Sequence, residues 1–250
     1  MTPYLSGVYR RRLRMVITAA DTVEGGLEDD FHHFTVTLRH NGARVTSVDA
    51  GAVRWPWTTC PDAATPLRAI EGMPLSPRCL AVGDHADPRM NCTHMFDLAG
   101  LAVAHAARGG EVGETRQYDV EIPYGVQAGG QRLVRLARDG EPRLEWTIAG
   151  RGIESPPPYS EQSWRGGFLR WADRTLEVED AEAAIVAGHP RRPATDPIIR
   201  KPPPRSAKDG CTARKRWNTA WTWMAKALSH SSVDSSVIFP GCAPPAAATA

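Results

Sequence analysis

The chain has 250 residues, 42% of them hydrophobic, and a formal charge of +2, enough apolar content to bury a core. No apolar run approaches the roughly 18 residues that a membrane span needs, and the arginine-led start precedes too short an apolar stretch for a secretory signal, so a cytoplasmic protein is expected. Residues 1–200 carry 23 Lys and Arg against 26 Asp and Glu, while all four lysines fall in residues 201–250; a slightly acidic body without a basic stripe excludes nucleic acid as the expected partner.

In chain order, residues 8–19 alternate from Leu13 onward as a strand, and DTVEGGLEDD reads as a polar, glycine-containing turn. Phe34, Val36 and Leu38 then alternate with polar residues, and Asn41-Gly42 predicts a type I′ hairpin turn into the next strand. Pro61, Asp62, Leu67, Ile70 and Gly72 outline a helix, with Cys60 at its N-terminal edge. A second helix carries Met95, Leu98, Ala102 and His105 or Ala106 on its apolar face and runs to Arg108-Gly109-Gly110, so that Cys92 also stands at a helix start. Residues 116–124, 131–138 and 143–149 read as strands, the last two joined at Asp139-Gly140, and residues 165–187 as one or two helices. Beyond residue 188 the chain is Pro/Arg-rich, then offers a short amphipathic helix at Trp217, Trp221, Met224 and Leu228; much of it is expected to lack order. The organisation is therefore α+β: an antiparallel sheet with a hairpin packed by helices in residues 8–110, a smaller β-rich subdomain with C-terminal helices in residues 111–187, and a tail in residues 188–250.

Five cysteines, unevenly spaced, do not form a disulfide framework, which leaves them for chemistry. Partial positive charge at a helix start favours the thiolate that binds metals or attacks electrophiles. His32 and His33 open one hairpin strand, and antiparallel pairing returns the end of the partner strand, just before Cys60, to the same edge. Cys92 and His94 join them if the second helix docks with its N-terminus at that edge. The candidate site is accordingly His32, His33, Cys60, Cys92 and His94 as metal ligands, with Cys60, Cys92 and His94 as catalytic candidates; Asp84, Asp87 or Asp97 could orient His94. The same residues also suit a cysteine nucleophile without metal, or a plain core in which Cys60 and Cys92 are buried small side chains. Cys79 reads as a packing residue and His85 as an exposed loop histidine.

The stretches FHHFTVTLRHNGARVTSVDA, WTTCPDAATPLRAIEGMPLS and NCTHMFDLAGLAVAHAA resemble a bacterial family of domains of unknown function, with a His-bearing strand, a lone Cys before a helix and a Gly-Cys-Thr-His-Leu helix start; Asn91 stands here for the glycine and Met95 for the leucine. The order of elements over residues 10–110 is also similar, more distantly, to the iron–sulfur scaffold fold of the NifU/IscU type. That likeness implies Cys60 as the middle ligand cysteine, Cys92 as the last, and His32 or His33 in place of the first, although in the scaffold the histidine precedes the last cysteine whereas His94 follows Cys92. The function these readings imply is a metal-dependent (Zn or Fe) enzyme, a lyase or hydrolase, acting on a small organic substrate, aromatic or acyl. A metal or iron–sulfur carrier and a metal-free cysteine enzyme are the alternatives. The sequence does not set the oligomeric state.

Overall fold

A computed structural model describes residues 8–56, 60–123, 130–164 and 166–189. Eight strands, β1 (Val8–Ala19), β2 (Thr22–Asp29), β3 (His33–His40), β4 (Val45–Arg54), β5 (Thr115–Pro123), β6 (Gln131–Arg138), β7 (Glu141–Ala149) and β8 (Gly152–Ser155), form one antiparallel sheet of order β4-β3-β2-β1-β5-β6-β7-β8. The order arises because two meanders, β1–β4 and β5–β8, are joined edge to edge by the β1–β5 pairing, Leu13 opposite Tyr118. The segments 8–110 and 111–187 therefore share a single sheet. The expected tail and its amphipathic helix, beyond residue 189, lie outside the described residues.

Period-two alternation decides the faces. In β1, Tyr9, Arg11, Leu13, Met15 and Ile17 are buried while Arg10, Arg12, Arg14 and Val16 turn the other way. The covered face receives α2 (Thr93–Arg108) over β1 to β3 and α4 (Val178–Gly188) over β5 to β7, with α3 (Phe168–Thr175) packed on α4. The opposite face carries ladders of alternating charge: Arg10 bonds Glu121, which lies opposite Arg135, and Arg135 bonds Glu145. Trp146 sits at the hub of an aromatic cluster with Tyr159, Trp164 and Phe168, their ring centroids 5.1–5.9 Å away, so these aromatics are core. Tyr118 lies outside that cluster, bonded to Glu182.

Two local expectations are corrected. The segment read as a glycine turn is strand β2, paired on both sides. Its glycine serves close packing rather than turning: a Cβ on Gly25 would stand 3.1 Å from Leu98 Cδ1 of α2. The hairpin between β3 and β4 exists, but its turn is not type I′, which needs positive φ at both central residues. Only Gly42 has it, at +83°, because the Asn41 side chain accepts the N–H groups of Ala43 and Arg44 and widens the loop. Asp139 (φ +53°) and Gly140 (φ +84°) do adopt the paired positive angles in the β6–β7 hairpin.

The first helical region is broken into 3₁₀ turns around α1 (Ala64–Leu67), with Leu67 and Ile70 wholly buried and Gly72 at φ +85° closing it. In α2, Met95, Leu98, Ala102, His105 and Ala106 are all buried, and Gly109 (φ +70°) ends the helix. Gly100 lets α2 lie against the 3₁₀ turn Cys79–Asp84, since a Cβ there would come 2.2 Å from the Cys79 carbonyl oxygen. No helix among the described residues is long and apolar enough to cross a membrane.

Candidate metal centre

The site grows from the link between β2 and β3. Asp29, the last residue of β2, turns its carboxylate back over the chain: Oδ1 accepts the backbone N–H groups of Phe31 and His32 at 2.8 Å each, and the Asp29 N–H bonds the His32 carbonyl at 2.9 Å. This is the way an Asp side chain substitutes for backbone in a tight turn. The turn is clamped from the end of β4, where an Arg54 terminal nitrogen donates to the carbonyls of both Asp29 and His32 and to Glu28. Nδ1 of His32 stands 2.9 Å from Asp29 Oδ1, and Tyr9 on β1 donates its hydroxyl to Oδ2 at 3.0 Å. A carboxylate only accepts, so in this contact the His32 ring donates from Nδ1.

α2 supplies the third group. His94, in its first turn, stacks on His32 with ring centroids 3.9 Å apart and planes 30° apart, and lies 5.8 Å from the ring of Phe34. One ligand atom from each of Asp29, His32 and His94 lies within 4.8 Å of the others. Two ligands about 2.1 Å from a shared zinc ion stand at most about 4.2 Å apart, so small side-chain rotations close this set around one cation.

The charges favour neutral imidazole beside ionised carboxylate. Burial, followed by the charges of Arg11 and His32, pushes the His94 pKa down to about 3. For Asp29, burial acts to raise the pKa, but the His32 hydrogen bond and charge, the Phe31 N–H and Arg11 together hold it below the usual carboxylate range. Arg11 is Asp29's cross-strand neighbour and is 3% exposed. Deprotonated histidine and carboxylate are the forms that ligate metals.

The expected convergence of a strand mouth and a helix tip is thus present for His32 and His94. Cys60 and Cys92 do stand at the starts of the 3₁₀ turn Pro61–Ala63 and of α2, both half-buried against the core. Among the described residues neither joins a group of three mutually close ligand atoms. His33 is buried next to Arg54, with its pKa pushed down to about 4 by burial and then by that arginine, and strand alternation puts it on the opposite face from Phe34. Cys79 is fully buried, its thiol pushed up by burial and by Glu182 and Asp173, in keeping with a packing role. Asp97 pairs with His189 at 2.7 Å.

Asp29, Tyr9 and Arg11 are the residues that sequence reading missed. The signal for Asp29 was its place three residues before His32, the spacing of a side chain that accepts backbone N–H groups ahead of it. For Tyr9 and Arg11, it was the period-two pattern of β1, which extends to Val8. No protein-family model and no curated protein matches the chain.

Proposed function

We propose that the protein is a metal-dependent enzyme that holds one Zn or Fe ion at Asp29, His32 and His94 and acts as a hydrolase or lyase on a small organic, acyl-type substrate. The observation that carries this reading is the mutual approach, within 4.8 Å, of two imidazoles and a carboxylate drawn from the β2–β3 turn and from the first turn of α2. A set of two nitrogens and one oxygen suits a single Zn or Fe(II) ion with open positions; iron–sulfur clusters take thiolates, so this set favours an enzyme over a cluster carrier. Such an ion would supply Lewis acidity and an acidified water. The chain's own part is to keep His94 unprotonated by burial and to fix Asp29 with Tyr9 and two backbone N–H groups; the ion would stand in place of the proton shared by His32 Nδ1 and Asp29 Oδ1.

A second reading rests on the three hydrogen bonds already accepted by Asp29 Oδ1. A carboxylate so occupied orients His32, whose Nε2 then serves as a general base without metal. Elemental analysis with zinc and ferrous titration of the full chain separates the two. About one equivalent of metal per chain is expected, with affinity falling at least ~100-fold in His32→Ala and His94→Ala, as for loss of a direct ligand, and unchanged in Cys60→Ser and Cys92→Ser. Metal-free wild type that takes up neither ion refutes the metal centre and leaves the Asp29–His32 base.

A further inference from the structure

Arg11 lies on the covered face of β1, opposite Asp29 in register and only 3% exposed. Its ion-pair partner is Asp97 of α2, one turn beyond His94, and the two stand 3.8 Å apart. No hydrogen-bond partner meets its Nε among the described residues. Buried guanidinium groups are normally held by short, forked bonds to carboxylates, as Arg108 is by Glu179 and Glu182. A buried cation held so loosely gains little over an apolar side chain of its length, and what it adds is charge. That charge bears on both halves of the ligand set: Arg11 acts on Asp29 and on His94, and Asp97 acts on His94 with the opposite sign.

Resting on the metal reading, we propose that Arg11 and Asp97 tune that centre as two opposed fixed charges: Arg11 loosens its hold on a divalent cation and Asp97 tightens it. Neither belongs to the group of close ligand atoms, so both act through space. A divalent ion on one carboxylate and two neutral imidazoles keeps a net positive charge, which a fixed cation repels and a fixed anion offsets. Asp97 is anchored 2.7 Å from Nδ1 of His189, just past the end of α4. The side chains of Arg11 and Asp97 are only 3% and 11% exposed, so water and salt screen neither charge strongly. The consequence is a centre of reduced affinity whose ion would be more electrophilic than its three ligands alone would make it, which suits hydrolysis or elimination better than metal storage.

The test is zinc titration of the full chain by competition with a chromophoric chelator. Arg11→Met, which removes the charge and keeps an apolar side chain, is expected to bind zinc at least about tenfold more tightly than the wild type, and Asp97→Asn at least about tenfold more weakly. The double variant is expected to fall within about threefold of the wild type, since the two charges leave together. Lost packing would weaken zinc in both single variants, so the opposed signs are a readout that a purely structural role does not give. Should Arg11→Met fail to fold, Arg11→Gln, which keeps a polar head against Asp97, takes its place with the same expected sign. Affinity that falls in both single variants, or that stays unchanged in either, overturns the proposal and leaves the metal centre standing. Wild type that takes up no zinc removes the metal centre itself, and this role with it.

Discussion

Two buried polar clusters lie under the same sheet, and they are built to opposite specifications. Below α4, Glu182 is 2% exposed and fully engaged: Tyr118 donates to it, Arg116 lies 3.1 Å from Oε1 and Arg108 2.7 Å from Oε2. Glu179 adds further bonds to Arg108, Arg116 and Arg138. Every charge there has an opposite within reach, and the cluster ties α4 to β5, β6 and the end of α2. Below the start of α2, Asp29 is equally well served, but the imidazoles beside it are half-buried, and burial with the charge of Arg11 keeps His94 neutral. A satisfied network gives rigidity; one that stops short on ligand atoms has something left to bind. The contrast, rather than burial alone, singles out the second cluster as the candidate site.

The sharpest way to break the comparison is to empty the satisfied cluster. Glu182→Ala takes the buried anion from Tyr118, Arg108 and Arg116 and leaves the two arginines only the partly exposed Glu179, and is expected to cost about 3–5 kcal/mol in urea unfolding, with metal affinity at the other cluster unchanged in the folded fraction. Acid titration probes the other side. With His94 held at about 3 and His33 at about 4 in the fold, against the ordinary histidine value near 6.5, the unfolded chain takes up protons first as pH falls. The contribution of both residues is therefore full above about 6.5 and is lost on the way down to pH 4 and 3, on the order of 3 kcal/mol for His94 alone by pH 4. His94→Gln is expected to flatten that slope in denaturation curves measured from pH 7 to 4.

Backbone approach gives the next effect. Gly100→Ala puts a Cβ 2.2 Å from the Cys79 carbonyl and Gly25→Ala puts one 3.1 Å from Leu98. Gly100→Ala is expected to cost about 2–3 kcal/mol and Gly25→Ala about 1 kcal/mol, and Gly25→Ala, by lifting α2 off β2, should also weaken metal at His94. The smallest effect belongs to the solvated face: Arg135→Ala removes an exposed pair with Glu145, and a change under ~0.5 kcal/mol in the same unfolding assay is expected.

Much of the fold was legible because it is written in local periodicity. β6 was predicted at its observed bounds, α2 by an apolar face that ends at two glycines, and the β6–β7 turn by a dipeptide that tolerates positive φ. The two failures have one cause. Gly25-Gly26 and Asn41-Gly42 carry the residues of a turn, but in each case a side-chain contact, Leu98 of α2 against Gly25 or the Asn41 amide on its own loop backbone, set what they are used for. At the site, sequence order placed His32 at a strand mouth and His94 at a helix start, and antiparallel return of β4 brought Arg54 opposite His33. That much follows from chain geometry.

What local pattern could not supply was contact between residues far apart in the chain. His32 and His94 meet only because Gly25 admits Leu98 and so lays α2 along β2 and β3, and Asp29 becomes their carboxylate only once Tyr9 and Arg11, from a strand paired in register, close over it. Residue type and spacing determine which groups can ligate or turn; which of them share a volume a few ångströms across is settled by packing, and packing sums interactions over the whole chain.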